Sequence, residues 1–121
     1  MTTTTHTDTL SRVTDLQTYI AEGRIMEAMD EFYAPDVSMQ ENTDPPTVGL
    51  AANIEREEGF LADIAEWRAF EVLSVAAAGD TAFVESRSKF KTVDGTEVDS
   101  VQVSRSVWKD GKIVDERFYH Q

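Results

Sequence analysis

The 121-residue chain contains no cysteine, and this absence excludes several kinds of chemistry. Disulfide bridges, thiolate zinc sites and cysteine nucleophiles all require a thiol. The chain also lacks an apolar run near the roughly 20 residues that span a bilayer. Its threonine-rich start, residues 1–9, has no apolar stretch of signal-peptide type. The sequence therefore predicts a cytoplasmic protein that does not bind a membrane.

Basic residues are scarce, with 11 Lys and Arg against 23 Asp and Glu, a formal net charge of −12. Such an acidic surface repels nucleic acid, so none is expected as a partner. The two histidines, His6 and His120, are too far apart in sequence to suggest a metal site. The six glycines form neither a P-loop nor a dinucleotide-binding pattern. We therefore expect no metal and no cofactor.

The last third of the chain, from Thr81 to Gln121, has the strongest local pattern. Three runs of alternating residues are separated by Val93-Asp94-Gly95 and Lys109-Asp110-Gly111. An Asp-Gly pair between alternating runs is a strong hairpin signal, because glycine adopts positive φ without steric cost. The pattern predicts a three-stranded antiparallel meander, preceded by a fourth strand at Trp67–Ala77.

The first half of the chain predicts helices. Apolar residues at helical spacing indicate three of them, at Thr9–Glu22, Arg24–Tyr33 and Leu50–Ala65. A short strand at Val37–Gln40 and a proline-containing loop at Glu41–Pro46 lie between the second and third. Helices that precede an antiparallel sheet are typical of an α+β domain. We expect one such domain over residues 9–121, after a disordered lead at residues 1–8.

Several of these segments together resemble the nuclear transport factor 2-like superfamily and, within it, the SnoaL-like domains. The resemblance rests on the helix–Gly23–helix start, on Phe32-Tyr33-Ala34-Pro35-Asp36-Val37, on the helix after Gly49, and on a meander that ends in Gly111-Lys112-Ile113-Val114-Asp115-Glu116-Arg117-Phe118-Tyr119. It implies a cone, in which a curved sheet wraps around the helices and leaves a pocket at the open end. The superfamily includes ketosteroid isomerase, scytalone dehydratase, limonene epoxide hydrolase, polyketide cyclases and non-catalytic domains. Dimers through the outer sheet face are common in it, so the resemblance also implies a homodimer.

Alternation divides the last three strands into two faces, but periodicity alone does not say which face is inward. Laying the Gly111-Lys112 hairpin on the family pattern implies a pocket lined by Glu85, Arg87, Gln102, Ser104, Trp108, Glu116, Phe118 and His120. Hydrophobicity alone would instead place Val101, Val103 and Val107 inward. Both observations hold if the valine face is a dimer interface or packs on another layer.

Glu41 is the candidate general base, because it falls where the resemblance to ketosteroid isomerase places that residue. A carboxylate at the mouth of a pocket can accept a proton. The alternative is a loop carboxylate that lies in water or caps a turn. The rest of the isomerase pattern differs here, since its oxyanion-hole tyrosine falls near Leu16 and its second acidic donor near Ser104. The specific steroid apparatus is therefore absent.

His120 is the second catalytic candidate, since it shares a strand face with Glu116. A histidine beside a carboxylate suits acid–base chemistry near neutral pH. The alternative is a histidine that is partly in solvent. Arg87 with Glu85 and Glu116 forms either an ion-pair network in the pocket or cross-strand pairs on an exposed face.

The leading functional interpretation is a small-molecule-binding protein that carries out cofactor-free isomerisation, cyclisation or hydration by acid–base chemistry. Glu41 would accept the proton with His120 as its partner, and Arg87, Gln102 and Glu116 would orient the ligand. The alternative is a non-catalytic ligand-binding or protein-interaction module of the same fold. A third interpretation is a cone filled by large side chains, with no room for a ligand.

Overall fold

The computed structural model describes the backbone of residues 5–121 and the side chains of residues 9–121. Three helices and six strands follow one another along the chain. They are α1 (Thr5–Ala21), α2 (Ile25–Phe32), β1 (Tyr33–Glu41), β2 (Thr47–Val48), α3 (Leu50–Ala62), β3 (Ile64–Ala78), β4 (Thr81–Thr92), β5 (Glu97–Lys109) and β6 (Lys112–Tyr119). The predicted α+β class is confirmed.

The six strands form one curved, open sheet in the order β2-β1-β6-β5-β4-β3. Strands β3 to β6 make the antiparallel meander that the Asp-Gly turns predict. Gly95 and Gly111 have φ angles of 92° and 77°, so both turns use the backbone freedom of glycine. Strand β1 is the exception, because it runs parallel to β6. This pairing connects the first half of the chain to its last strand.

Helix α1 begins at Thr5, four residues before the predicted start, so the predicted lead is helical from that point. The rest of the lead, residues 1–4, lies outside the described residues. Helix α3 ends at Ala62, and β3 begins at Ile64, inside the segment predicted as helix. Strand β2 was not predicted, and it pairs with β1 through Val48 and Thr47.

The boundary between α2 and β1 differs from the prediction in a way that matters for the site. Tyr33, predicted as the last helical residue, has extended angles of φ −112° and ψ 134° and begins β1. Pro35 follows inside the strand, where the pairing of β1 with β6 shifts register between Tyr33 and Ser38. Proline has no N–H to donate and disfavours helix in the residue before it, so an irregular strand fits this position.

The main core packs α1 and α2 against the part of the sheet near the β5–β6 turn. Its fully buried members include Val13, Leu16, Phe32, Val37, Ala82 and Ile113. Trp108, predicted to line the pocket, belongs to this core: it is 4% exposed, and its Nε1 donates to Ser106 Oγ at 2.9 Å. The prediction for Trp108 is wrong because the β5–β6 end of the cone is filled with side chains.

Arg12 on α1 fastens this end of the cone. Its Nη2 and Nε donate to the Gly111 carbonyl at 2.8 and 3.1 Å, and its Nη1 lies 3.2 Å from Glu31 Oε2. The guanidinium also lies 4.4 Å from the ring centroid of Phe32. One side chain therefore links α1, α2 and the β5–β6 turn.

Candidate active site

A cavity of about 470 Å³ lies between the helices and the concave face of the sheet, beyond the main core. This volume is within the range of small-molecule sites, and it contradicts the interpretation of a cone filled by side chains. All three helices and five of the strands contribute to its lining. Along β4, β5 and β6 the buried core residues give way to cavity residues with increasing distance from the β5–β6 turn.

Strand register decides which side chains reach the cavity, because residues paired across two strands point to the same face. Gln102 pairs with Ser86, and Ser104 pairs with Phe118. These four residues line the cavity together. Of the predicted site residues, the cavity is lined by Glu41, Gln102, Ser104, Glu116, Phe118 and His120.

Glu85 and Arg87 do not lie in the cavity, so their predicted placement is wrong. They pair with Val103 and Val101, on the outer face of the sheet. Arg87 forms a two-pronged ion pair with Asp99 at 2.7 and 2.8 Å, and Glu85 accepts a hydrogen bond from Ser74 at 3.1 Å. The predicted network of Arg87 with Glu116 is therefore absent, and the cross-strand alternative describes Arg87 correctly. The residues of β4 that line the cavity are instead Ser86, Ser88 and Phe90.

Glu41 and His120 form one acid–base pair, with Glu41 Oε1 at 2.7 Å from His120 Nε2. The other oxygen of Glu41 lies 3.3 Å from Arg56 Nη2. His120 Nδ1 faces the Gln121 carbonyl at 3.1 Å, so both ring nitrogens face acceptors. The Gln121 carbonyl and the Glu41 carboxylate raise the pKa of His120. The arrangement favours an imidazolium beside a carboxylate.

The turn after β1 holds this pair in place. Asn42 has a left-handed φ of 48°, which asparagine tolerates better than most residues. Its side-chain Oδ1 accepts a hydrogen bond from the His120 backbone N–H at 2.9 Å. Its backbone carbonyl accepts one from Arg117 Nε at 2.8 Å. The residue after Glu41 thus positions His120 directly.

Tyr33 and Glu116 form a second pair in a more buried part of the cavity. The Tyr33 hydroxyl donates to Glu116 Oε1 at 2.6 Å, and the two residues are 6% and 3% exposed. Burial raises the pKa of Glu116 to about 8, against the opposing effect of the Tyr33 hydrogen bond. Burial also raises the pKa of Tyr33. At neutral pH both groups are therefore uncharged, and with the Tyr33 hydroxyl directed at Glu116, the Glu116 carboxyl is the group of this pair that can donate to a ligand.

Glu57 on α3 is a third carboxyl group at the cavity that the sequence analysis did not single out. It is partly buried, and its carboxylate has no hydrogen bond or ion pair with another of the side chains described, residues 9–121. Burial raises its pKa, the neighbouring Arg56 lowers it, and the charge of Glu41 raises it. The sequence does contain a pattern that could have identified Glu57. Asn53, Glu57 and Phe60 recur at helical spacing, which places all three on the inner face of α3.

Aromatic side chains cover one wall of the cavity. The Phe90 ring makes edge-to-face contacts with Phe60 and Trp67, at centroid distances of 5.7 and 5.4 Å. Phe70 and Phe118 extend the apolar lining. The strands β4 and β5 contribute small hydroxyl groups at Ser86, Ser88, Ser100 and Ser104. The cavity thus combines flat apolar surfaces with many hydrogen-bonding groups.

Within residues 9–121, no three or more histidine, aspartate or glutamate side chains are grouped so as to hold a metal ion. Over the same part of the chain, none of the helices has the length and apolar character needed to cross a membrane.

The fold and the cavity define the chain as a nuclear transport factor 2-like domain with a small-molecule-sized pocket. Residues 13–116 match the sequence profile of the SnoaL-like domain, and the chain belongs to that family. No protein with a curated description matches its sequence.

Solved structures agree with this assignment. A SnoaL-like candidate polyketide cyclase from Jannaschia sp. CCS1 superposes with a TM-score of 0.85 at 15% identity, covering 100% of this chain and 90% of the other. A second such candidate, from Mesorhizobium loti, gives 0.77 at 20% identity, with 90% and 96% covered. An LEH-like epoxide hydrolase from M. tuberculosis gives 0.78 at 12% identity, with 96% and 84% covered. At these identities the likeness establishes the fold.

Proposed function

We propose that the protein is a cofactor-free enzyme that moves a proton on a small molecule, as an isomerase, cyclase or hydratase. The observation that carries this proposal is the presence of two acid–base pairs in one cavity. Glu41 and His120 are the more exposed pair, and Tyr33 and Glu116 are the buried one. The polyketide cyclase candidates and the epoxide hydrolase of the same fold support chemistry of this kind.

The two pairs suit different roles in a proton transfer: one pair accepts the proton, and the other stabilises the negative charge that its removal creates. Glu41, with His120 as its partner, accepts a proton from a carbon next to a ligand carbonyl. The neutral Glu116 carboxyl, held in place by the Tyr33 hydroxyl, donates a hydrogen bond to the oxygen on which negative charge then develops. Return of the proton to a different carbon completes an isomerisation. Attack of the enolate carbon on a second carbonyl, whose oxygen then takes the proton held by Glu41, completes a cyclisation. Gln102, Ser104 and Phe118 contact the ligand in this scheme.

The experiment starts with a thermal-shift screen of aromatic, polyketide-like and polar metabolite compounds, because a ligand that binds the folded state raises its stability. Compounds that bind are then assayed for turnover with Glu41→Gln and with Glu85→Gln as the matched control. Both changes replace a carboxylate by an amide, but Glu85 lies on the outer face. We expect a loss of about 10²- to 10⁴-fold in turnover for Glu41→Gln and none for the control. Equal turnover in both variants would remove Glu41 from the mechanism.

One observation favours the second candidate function, a non-catalytic ligand-binding or interaction module. Both oxygens of Glu41 are already engaged, by His120 and by Arg56. In a non-catalytic module, the contacts of Glu41 with His120 and Arg56 would hold the mouth of the cavity in shape. Ligands that bind without any chemical change, with equal affinity in Glu41→Gln, would establish it.

The outer face of the sheet supports the proposal of a homodimer. Phe83, Val101 and Tyr119 on this face are 41%, 47% and 41% exposed, and Val103 lies between them. A second copy of the chain would remove this apolar surface from water. A cytoplasmic location stays a prediction from the sequence.

A further inference from the structure

We propose that the cavity selects an organic cation: a small molecule that carries a protonated amine on an aromatic or similarly flat apolar skeleton. This inference rests on the proposed ligand-binding function of the same cavity and specifies the charge of its ligand. It follows from how the charged side chains around the cavity are paired.

The cavity has three carboxyl groups and two basic side chains, and both bases are directed at one carboxyl. Arg56 and His120 contact the two oxygens of Glu41. Glu57 has no such contact within the described side chains. Glu116 is 3% exposed, and only its Oε1 has a hydrogen-bond partner in this part of the chain. Glu116 is uncharged at neutral pH, so a ligand with one positive charge would supply the partner that Glu57 lacks.

The surroundings of Glu57 suit an alkylammonium group rather than a hydrated metal ion. Phe60 lies three residues after Glu57 on the same face of α3. Its ring belongs to the edge-to-face cluster with Phe90 and Trp67. A cation beside a carboxylate and against aromatic rings gains from both contacts, because the ring faces carry partial negative charge. The apolar part of the ligand would lie on the same aromatic wall.

The charge arrangement also acts against the opposite class of ligand. A carboxylate ligand would lie near Glu57, while Arg56 and His120 are occupied by Glu41. The net charge of −12 over the whole chain adds to this repulsion and concentrates cations near the surface. A neutral ligand would leave the Glu57 carboxylate without a partner.

The test measures affinity by calorimetry at pH 7 and low salt for probes that share an aromatic skeleton and carry a positive, neutral or negative end group. One set is 2-phenylethylamine, 2-phenylethanol and phenylacetate, and a two-ring set is tryptamine, tryptophol and indole-3-acetate. Each is titrated into the wild type, into Glu57→Gln and into Glu58→Gln. Glu58 is the control, because it carries the same charge on the same helix but is exposed. A further variant, Phe60→Leu, tests the aromatic contact independently of Glu57.

We expect the amine of each set to bind the wild type at least about tenfold more tightly than the alcohol, with the carboxylate weakest. Glu57→Gln removes this preference, Glu58→Gln retains it, and Phe60→Leu weakens the amine more than the alcohol. Equal affinity for amine and alcohol, tighter binding of the carboxylate, or an amine preference that survives in Glu57→Gln each overturns the inference. In those cases binding of the alcohols still supports the cavity as a ligand site. No binding by any probe at millimolar concentration counts against both proposals.

Discussion

The Tyr33 hydroxyl lies 2.6 Å from Glu116 Oε1, and this contact joins the first residue of β1 to the middle of β6. It brings together two titratable groups that water cannot reach easily, since both residues are at least nine-tenths buried. Burial holds both in their uncharged forms at neutral pH. The pair therefore offers the cavity one hydrogen-bond donor, the Glu116 carboxyl, which the Tyr33 hydroxyl orients.

Replacing Tyr33 by phenylalanine should remove the only hydrogen bond that Glu116 receives within the described residues. We expect the free energy of unfolding to fall by about 1–3 kcal/mol, because a buried acceptor loses its donor. The pKa of Glu116 should rise further, since the Tyr33 hydrogen bond lowers it. Chemical denaturation at pH 7 measures the first effect. Glu116→Gln is the control, because its amide carbonyl still accepts from Tyr33, so a larger loss in that variant would contradict this account.

Stability should decrease as pH rises from about 4.5 to about 8, because burial raises the pKa of Glu116 from the lower to the higher value. Below this window the group is protonated in both states. Within it only the folded state keeps the proton, so unfolding releases a proton and is favoured by higher pH. Above this window Glu116 is ionised in both the folded and the unfolded state. The free energy of unfolding is then lower than below the window by on the order of a few kcal/mol.

Urea denaturation of the wild type and of Glu116→Gln across this window isolates the effect of Glu116. His120 also loses its contribution as pH rises through its raised pKa, but it does so in both proteins. The difference between the two free energies of unfolding should therefore change with pH in the direction given. A pH-independent difference would mean that Glu116 is already ionised in the folded protein.

The homodimer proposal predicts that a charge on the outer sheet face separates the subunits. We expect light scattering at low micromolar concentration to give a dimer mass for the wild type and a monomer mass for Val101→Lys. Val93→Lys is the matched control, because Val93 is 64% exposed but lies in the turn after β4. A monomeric wild type would exclude the dimer at that concentration.

Arg12→Lys should lower stability, although it keeps the charge. Lysine cannot reproduce the fork that holds the Gly111 carbonyl while it contacts Glu31 and Phe32. We expect a loss of about 1–2 kcal/mol and a fall of a few degrees in the melting temperature. Arg24→Lys is the comparison, because Arg24 contacts residues close in sequence, Glu22 and Glu27. Equal effects of the two substitutions would show that the contacts of Arg12 with the β5–β6 turn contribute little.

Local signals predicted most of the fold. The Asp-Gly pairs located both hairpins because a tight turn with positive φ depends on its own residues. Gln102, Ser104 and Glu116 were assigned to one face from the family pattern. They share that face in the structure because a register shift between Val107 and Trp108 pairs Ser106 with Glu116. The side chains of β4 that share a face with the pocket residues of β5 were also predicted from the family pattern, and this prediction was wrong for Arg87. The observed register pairs Lys91 with Glu97, and this places Arg87 on the outer face of the sheet.

The residues that sequence analysis missed depend on contacts between distant segments. The sequence predicts Tyr33 as the last residue of a helix because it continues the apolar residues that recur at helical spacing in that segment. Its pairing with Ile113 on β6 is what makes it the start of a strand. Glu57 was not singled out because it lies in an acidic run, and charged residues in such a run are usually solvated. The helical spacing of Asn53, Glu57 and Phe60 indicates a shared face of α3, but the burial of that face comes from its packing against the sheet.

The parallel pairing of β1 with β6 carries a consequence for how the site assembles. Both acid–base pairs bridge residues about 80 positions apart, with sequence separations of 79 and 83. Neither can exist before β6 has joined the sheet, so the proposed catalytic groups come together only once β1 and β6 have paired. A slip of one residue in this pairing would turn the side chains of β6 to the opposite face and dismantle both pairs together. The Asn42 contacts with Arg117 and His120 therefore help to fix this register, and weakening them should disrupt both pairs while most of the sheet persists.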